Sequence, residues 1–403
     1  MAEITGAIAR RIIDSRGSPT VEIDIISNSI IGRAAAPSGA SKGTFEVKDY
    51  PSGGVDSGIK AFEKVARRAT GMRLSDQEGF DAMLHETDGT ADFGELGGNV
   101  TVAASLAYAK ASAKSENTEL YKVLAYKNNT TPSLPRPMGN MIGGGKHAIN
   151  GTTMQEFLSI AYGKSYADSA FANVSVHKKV GELLRAKFPQ LSLGLGDEKA
   201  WVAPLNDDEA LDVLSSAIRS ASEEADVDID PAVDLAASEF CDNGTYSYRD
   251  RMLSAEEQID FVAELAQKFG IRSLEDPLNE SDFEGFVELT KRIGKDTMII
   301  GDDLFVTNKE RLQKGISMGA ANAILIKPNQ IGTLSDMIET VMLAKRNNYQ
   351  TIISHRSGET EDSTIAHLAV GLGIGYIKTG TIGGERTAKH NELIRIEEQL
   401  QSS

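Results

Sequence analysis

Three carboxylates in the second half of the chain have the chemistry of a divalent-metal site. Asp234, Glu275 and Asp302 each come at the end of a short apolar run. If these runs are adjacent parallel strands, about 4.8 Å apart, the three acids repel one another by several kcal/mol. A hard divalent cation removes that repulsion, and oxygen ligands without His or Cys favour Mg²⁺ or Mn²⁺ over Zn²⁺. Carboxylates that share Lys and Arg partners are the alternative.

A lysine at the end of the next apolar run suits proton abstraction beside such a cation. The run Ala323–Ile326 is followed directly by Lys327. Burial and a neighbouring cation lower the pKa of an ammonium group, which makes a lysine a usable general base. Cations also stabilise the carbanion that forms when a proton leaves the carbon next to a carboxylate. We therefore expect Lys327 to have a lowered pKa and to act as the base in such a reaction.

Ionisable side chains stand at the end of nearly every β-rich run after residue 150. Reading each run to its end gives Glu156, Glu198, Asp234, Glu275, Asp302, Lys327, His355 and Lys378. Active sites of barrel enzymes lie at the carboxyl ends of the strands. Solvation explains any one of these side chains but not the whole ring, because Asp, Glu and Lys are rarely buried without a partner.

Two further segments carry groups that suit an anion. Residues 354–358 combine a guanidinium fork with a hydroxyl group, which favours a bound phosphate. Residues 37–43 form a Gly- and Ser-rich loop that can fold over a bound anion. A polar loop and a plain turn between strands are the alternatives for these two segments.

The elements that position these residues change in character near residue 130. Before it, strands are predicted at residues 21–25 and 30–36, and helices at residues 59–70, 76–85 and 100–127. Three prolines between residues 132 and 137 then predict an extended connection, because proline fixes φ and lacks an amide donor. We place the boundary there, between an N-terminal α+β domain (residues 1–130) and a second domain (residues 131–403).

The β-rich runs of the second domain follow a regular spacing. They begin near Glu156, Leu191, Ala232, Ile271, Thr297, Ala321, Thr351 and Gly375. From the fourth run onward they recur every 24 to 30 residues, the length of one strand plus one helix. Ser254 with Glu257, and Ser281 with Glu284, predict capping boxes for two of these helices. The pattern predicts a closed (β/α)₈-type barrel, with an open doubly wound sheet as the alternative.

Composition and charge argue against several classes of partner. The 403 residues carry 42 Lys and Arg against 58 Asp and Glu, and this net charge of −16 disfavours nucleic acid and anionic membranes. The single Cys241 cannot close an intrachain disulfide, which favours a reducing compartment. No stretch approaches the roughly 18 to 20 apolar residues of a membrane-spanning helix. We expect a cytoplasmic protein that binds neither nucleic acid nor membrane.

Taken together, these motifs resemble the enolase family. The match runs from residues 14–17 to Lys389 and includes residues 37–43, 144–148, 155–157, 196–198, 236–240, 274–277, 301–308, 354–362 and 377–380. The resemblance implies an α/β fold in which a small α+β capping domain precedes a modified TIM-type barrel of ββαα(βα)₆ topology. It also implies a carbon–oxygen lyase of glycolysis and gluconeogenesis, the Mg²⁺-dependent, reversible dehydration of 2-phospho-D-glycerate to phosphoenolpyruvate.

The resemblance further implies a role for each site residue. Two Mg²⁺ ions would be held, the first by Asp234, Glu275 and Asp302 and the second by Ser41. Lys327 would remove the C2 proton, and Glu198 would protonate the leaving C3 hydroxyl. Lys378 would bind the substrate carboxylate, and Arg356 with Ser357 the phosphate. The pocket would be completed by His147, Gln155, Glu156 and His355.

Departures from the family pattern leave two other functions open. The family usually has Thr where Lys42 stands and Gly-Gly where Lys199 and Ala200 stand. These changes motivate an acid-sugar dehydratase or racemase of the same superfamily, against which the phosphate-type segment 354–358 argues. A binding or scaffold protein is the third possibility, opposed by the retention of every predicted acid, base and ligand. The resemblance implies a homo-oligomer, and the sequence does not choose between a dimer and an octamer.

Overall fold

The computed structural model describes residues 2–39, 43–148 and 151–402, and for His147 it describes the backbone alone. The predicted metal ligand Ser41 and the unusual Lys42 therefore lie outside the described residues. The predicted pocket role of the His147 side chain lies outside them as well.

A three-stranded antiparallel sheet and four helices form the N-terminal part. Its elements are β1 (Gly6–Ile13), β2 (Pro19–Ser27), β3 (Ile30–Ala35), α1 (Gly54–Ala69), α2 (Gln77–Asp88), α3 (Gly98–Ser115) and α4 (Leu120–Asn128). The alternation predicted for β2 is confirmed, because Val21, Ile23 and Ile25 are fully buried in the core that includes α3. Close packing of β3 on α3 requires Gly32, where a Cβ would lie 2.0 Å from the Ala107 carbonyl oxygen.

The rest of the chain alternates strands with helices. Its elements are β4 (Arg136–Gly143), β5 (Glu156–Ala161), α5 (Tyr166–Lys187), β6 (Gly194–Leu195), β7 (Trp201–Val202), α6 (Asp207–Ala225), β8 (Ile229–Asp234), β9 (Cys241–Asp242), β10 (Thr245–Ser247), β11 (Met252–Ser254), α7 (Ala255–Phe269), β12 (Ser273–Glu275), α8 (Phe283–Ile293), β13 (Met298–Gly301), α9 (Lys309–Met318), β14 (Ala323–Ile326), α10 (Pro328–Ile331), α11 (Leu334–Arg346), β15 (Gln350–Ser354), α12 (Thr364–Gly371), β16 (Tyr376–Lys378) and α13 (Gly384–Gln401).

Eight of these strands close into a barrel. Their order is β4, β5, β8, β12, β13, β14, β15 and β16, and β16 pairs back with β4. The pairs β4–β5 and β5–β8 are antiparallel, and the remaining barrel pairs are parallel. Two strands, two helices and six βα units give the ββαα(βα)₆ order. The closed barrel is therefore confirmed over the open sheet.

Three predicted features of the barrel differ from the structure. The first barrel strand is β4, which begins inside the proline segment that predicted an extended connection; proline is tolerated at the start of a strand. The run near Leu191 contributes only the two-residue strand β6, which pairs with β7 at the margin of the sheet. Glu156 begins β5 instead of ending a strand, but the antiparallel direction of β5 still brings it to the same rim.

One of the two predicted capping boxes is correct. The Ser254 hydroxyl accepts from the Glu257 amide while the Glu257 carboxylate accepts from the Ser254 amide, and α7 begins there. The box predicted at Ser281 is wrong, because Asp282 caps α8 one residue later by accepting from the Gly285 amide.

The interior of the barrel is apolar, and the polar side chains lie at one rim. An inner cluster of buried side chains consists of Met138, Leu158, Ile160, Ala232, Ile300, Ala323, Leu325 and Ile352. A larger apolar core fills the space between the strands and the surrounding helices and continues into the N-terminal part. Within the described residues no helix is long and apolar enough to cross a membrane.

An ion pair between α2 and α11 joins the N-terminal part to the barrel. His85 Nε2 lies 2.8 Å from Asp336 Oδ2, and this partner raises the pKa of His85 above 6.5, against the opposing effect of burial. A raised pKa stabilises the fold below the unfolded pKa, and that stabilisation disappears as the pH rises through the folded pKa.

We expect His85→Gln to destabilise the protein by about 0.5 kcal/mol at pH 5.5 and by less at pH 9, because the pair is half-exposed. Urea denaturation of wild type and variant at both pH values measures the difference. An equal loss at the two pH values would contradict the charge contribution.

Candidate active site

The strand ends bring the predicted side chains to one rim of the barrel. Glu156, Asp234, Glu275 and Lys378 belong to β5, β8, β12 and β16, and Asp302, Lys327 and His355 follow β13, β14 and β15 directly. Glu198 is carried by the short connection between β6 and β7. One cavity is lined by Gln155, Glu156, Glu198, Asp234, Asp302, Lys327, Ser354, His355, Arg356, Ser357 and Lys378. The structure thus brings together the described members of the predicted site.

Lys378 lies among the acidic side chains of three strands. Its Nζ is 3.1 Å from Asp234 Oδ2, 2.8 Å from Glu275 Oε2 and 3.2 Å from Glu156 Oε2. Burial alone would lower the pKa of this ammonium group, but the carboxylates raise it well above 10.5. Lys378 is therefore a permanent cation held at the centre of the acidic cluster.

The acidic side chains exceed the ammonium groups that accompany them. Four buried carboxylates (Glu156, Glu198, Asp234 and Asp302) line the cavity with Lys327, Lys378 and Arg356, and a fifth, Glu275, contacts Lys378. Burial, and next the charge of Asp234, raise the pKa of Glu275 well above 4.5. An all-oxygen donor set with excess negative charge fits a hard divalent cation.

A further carboxylate, which sequence reasoning missed, holds the turn that carries Asp302. The buried Asp276 accepts hydrogen bonds from the amides of Asp302 (3.0 Å) and Asp303 (2.7 Å). Ligand atoms of these three acids lie within 4.8 Å of one another. Burial and the charge of Asp302 raise the pKa of Asp303 to about 8. Asp276 directly follows the predicted ligand Glu275, and this adjacency was the only signal in the sequence.

Lys327 forms an ion pair with Asp302. Its Nζ donates to Asp302 Oδ2, while the Gln330 side chain donates to Asp302 Oδ1 at 3.1 Å. Burial lowers the pKa of Lys327, but Asp302 outweighs burial, and the net direction is upward from 10.5. Among the described residues the nearest charge to Lys327 is thus a carboxylate, and the lowering of its pKa expected beside a bound cation stays a prediction.

Glu198 also lines the cavity, where an amide and an imidazole face it. Asn140 of β4 donates to Glu198 Oε2 at 3.2 Å, and His355 Nε2 faces the same oxygen at 3.3 Å. On the far side of the imidazole ring, Arg386 Nη1 donates to His355 Nδ1 at 2.9 Å. Burial and the Arg386 charge lower the pKa of His355 to about 4, so the imidazole is neutral at physiological pH.

The predicted phosphate-binding arginine is held by a carboxylate from the N-terminal part. Arg356 Nη1 and Nη2 donate to the two oxygens of Glu46 at 3.0 and 3.1 Å, and Nη1 also donates to Asn329 Oδ1 at 3.0 Å. The Glu46 carboxylate also accepts the amide of Gly43, the last residue of the Gly- and Ser-rich loop, at 3.0 Å. Ser357 is buried next to Arg356 on the rim. Glu46 therefore connects this loop to the guanidinium group.

Sequence reasoning missed the residues that hold the site in place. These residues lie on four different parts of the chain: Arg386 on α13, Glu46 in the N-terminal part, Asn140 on β4 and Asn329 on α10. No local sequence motif connects them with the rim. Arg386 is fully buried, but its helix contains many charged residues, so the sequence alone does not distinguish it from those that are exposed.

Comparison with known proteins gives one consistent family. The family model "Enolase, N-terminal domain" matches residues 4–124, and "Enolase, C-terminal TIM barrel domain" matches residues 131–403. An enolase of Picrophilus torridus is 47% identical over 399 residues, which cover 99% of both chains. An enolase of Methanothermobacter thermautotrophicus is 50% identical over 97% of this chain and 95% of its own. An enolase of Halorubrum lacusprofundi is 49% identical over 98% and 99%, respectively.

Proposed function

The chain belongs to the enolase family and catalyses the reversible dehydration of 2-phospho-D-glycerate to phosphoenolpyruvate, and we propose that the rim residues divide this reaction as follows. Lys327 Nζ takes the C2 proton, and the electron pair of the C2–H bond remains on the substrate as a carbanion. Glu198 then gives a proton to the C3 hydroxyl, which leaves as water while the C2=C3 double bond forms. The observation that carries this assignment is that one cavity is lined by an amine paired with Asp302 and by a carboxyl group that faces His355, so two different groups are available as base and acid.

We propose two Mg²⁺ ions per active site as cofactors. Asp234, Glu275 and Asp302 would hold the first ion, supported by the oxygen donors and the excess of negative charge around Lys378. Ser41 is proposed as a ligand of the second. When bound, the ions would supply positive charge that stabilises the carbanion. Asp302, as a metal ligand, would then hold the Lys327 ammonium less strongly, which would favour the neutral amine that a base requires.

The remaining rim residues are proposed to bind and orient the substrate. Lys378 would bind the carboxylate, and Arg356 with Ser357 the phosphate, because charge-assisted bonds from a guanidinium fork suit phosphate oxygens. His147, Gln155, Glu156 and His355 would complete the pocket. All of these except the His147 side chain are described and buried at the rim.

Glu46 gives a test of the phosphate assignment. We expect Glu46→Gln to raise KM for 2-phosphoglycerate about tenfold while kcat changes less than about threefold, because the two-oxygen ion pair that aims Arg356 is lost. Steady-state kinetics at saturating Mg²⁺ measure both constants.

Glu280→Gln is the matched control for this experiment. The Glu280 carboxylate accepts from the Thr44 hydroxyl, two residues before Glu46, whereas the carboxylate that holds Arg356 is that of Glu46. An unchanged KM in Glu46→Gln, or an equal rise in the control, would contradict the role of Glu46 in aiming Arg356.

We also propose a cytoplasmic homo-oligomer, either a dimer or an octamer built from dimers, with the domain boundary at residues 130/131. The exposed Ile8 and Ile31 on the sheet face away from α3 support an interface between subunits. Sedimentation velocity distinguishes the two assemblies, and a monomer at micromolar concentration would contradict both.

The central experiment is the formation of phosphoenolpyruvate by the purified protein, with and without chelator. We expect turnover of 2-phosphoglycerate that chelator abolishes and Mg²⁺ restores. No turnover in Mg²⁺ would contradict the proposed site, and faster turnover of an unphosphorylated acid would favour an acid-sugar dehydratase. No feature of the described residues favours that second function.

A further inference from the structure

Arg386 is a fully buried charged side chain to which the proposed mechanism gives no role. It lies in the first turn of α13, and its side chain reaches the segment after β15. Nη1 donates to His355 Nδ1 at 2.9 Å and to the Arg356 carbonyl at 2.7 Å, and Nη2 donates to the Ser357 carbonyl at 2.7 Å. A guanidinium group has only donors, so each of these three partners must be an acceptor.

This contact determines where His355 carries its proton. Because Nδ1 accepts from Arg386, a neutral imidazole must carry its hydrogen on Nε2, the atom that faces Glu198 Oε2 at 3.3 Å. Protonation of Nδ1 would remove the acceptor and place a second cation against the guanidinium group. The arrangement therefore excludes both the Nδ1–H tautomer and the imidazolium ion.

We propose that Arg386 is a positioning residue for the dehydration step, because it holds His355 as the neutral tautomer whose Nε2–H faces Glu198. The inference rests on the proposed role of Glu198 as the proton donor to the C3 hydroxyl. An imidazolium ion at this distance would hold Glu198 as a carboxylate, which has no proton to give. A neutral N–H group orients Glu198 with a much smaller preference for its charged form.

The other charged groups around the pair are consistent with this role. Glu359 and Glu198 favour protonation of His355, whereas burial and Arg386 oppose it more strongly. Glu198 also faces the neutral Asn140 amide of β4 and experiences the charges of Glu156 on β5 and Lys378 on β16. Arg386 is thus the group on α13 that keeps His355 neutral between several carboxylates.

Substitutions of His355 separate its two nitrogens. The amide of His355→Gln lies near the position of Nε2 and can still donate to Glu198, whereas the amide of His355→Asn lies near Nδ1 and can only meet Arg386. Phosphoenolpyruvate formation is expected to fall about tenfold more in His355→Asn than in His355→Gln, because only the latter keeps the donor to the general acid. Equal losses in the two variants, or the reverse order, would overturn the inference.

Arg386→Gln tests the arginine directly. We expect phosphoenolpyruvate formation to fall about 10- to 100-fold, while exchange of the C2 proton with solvent deuterium changes less than about threefold. The acidic limb of the pH–rate profile should move to higher pH, because His355 is then protonated more easily. Exchange that falls as far as dehydration in a folded variant, or an unmoved acidic limb, would overturn the inference.

Two controls complete the experiment. Arg395→Gln removes an exposed charge from the same helix, 62% exposed in its side chain, and should leave both rates unchanged. If Arg386→Gln does not fold, the two His355 variants decide. Glu198→Gln distinguishes this inference from the proposed function. If that variant loses exchange and dehydration equally, Glu198 is not the acid. If it loses dehydration selectively but His355→Gln is less active than His355→Asn, only the role of Arg386 is rejected.

Discussion

Replacing Lys327 with alanine is expected to slow exchange of the C2 proton by about 10³- to 10⁴-fold, and formation of phosphoenolpyruvate with it. Lys327 directly follows β14, its side chain is 13% exposed, and its Nζ pairs with the proposed metal ligand Asp302. Removal of the base stops the first step, so no later step can proceed. Deuterium incorporation from solvent, followed by NMR of 2-phosphoglycerate, measures the exchange.

Lys327→Arg is the matched variant, because arginine keeps a positive charge beside Asp302 but does not deprotonate in a protein. It should retain the fold and lose exchange as completely as the alanine variant. Lys309→Ala removes an exposed lysine paired with Glu339 and should leave exchange unchanged. If Lys327→Arg exchanges the C2 proton at a rate close to wild type, Lys327 is not the base.

Part of the site could be predicted from sequence because barrel strands have a simple local pattern. The strands β12, β13 and β14 are short apolar runs that end at a charged residue, so Glu275, Asp302 and Lys327 stand out without any knowledge of the fold. Parallel strands with helices between them then place all three on one rim. The same reasoning gave the closed barrel and the buried alternation of β2.

Other features depend on contacts that no local pattern shows. The prolines at the start of β4 predicted an extended connection between domains, so this strand was missed. The antiparallel direction of β5 is set by its pairing with β4 and β8 and not by its own residues. Arg386 is linked to His355 across 31 positions of sequence, and Glu46 is linked to Arg356 across 310. The raised pKa of Lys327 depends on Asp302, a neighbour that could be identified only in three dimensions, and the lowering expected beside a bound cation stays a prediction.

Lys378→Met is expected to make the stability of the protein strongly dependent on Mg²⁺. Without the ammonium group, Asp234, Glu275 and Glu156 lose the cation that lies within 3.2 Å of each of them. Breaking such a buried pair costs about 3–5 kcal/mol, so the variant in chelator should unfold at a clearly lower temperature than wild type. A divalent cation at the same carboxylates replaces the lost charge, and the free energy of binding adds to the stability of the folded state.

Thermal unfolding in chelator and in a Mg²⁺ titration measures this dependence without any need for catalysis. The rise in Tm with Mg²⁺ should be larger for Lys378→Met than for wild type, because more negative charge then surrounds the ion. Lys345→Met is the matched control: this lysine donates to the Leu372 and Gly373 carbonyls away from the rim, so its loss should lower Tm equally with and without Mg²⁺. A Mg²⁺ effect no larger in Lys378→Met than in wild type would show that the ion does not bind at these carboxylates, and the proposed ligand set of Asp234, Glu275 and Asp302 would have to be abandoned.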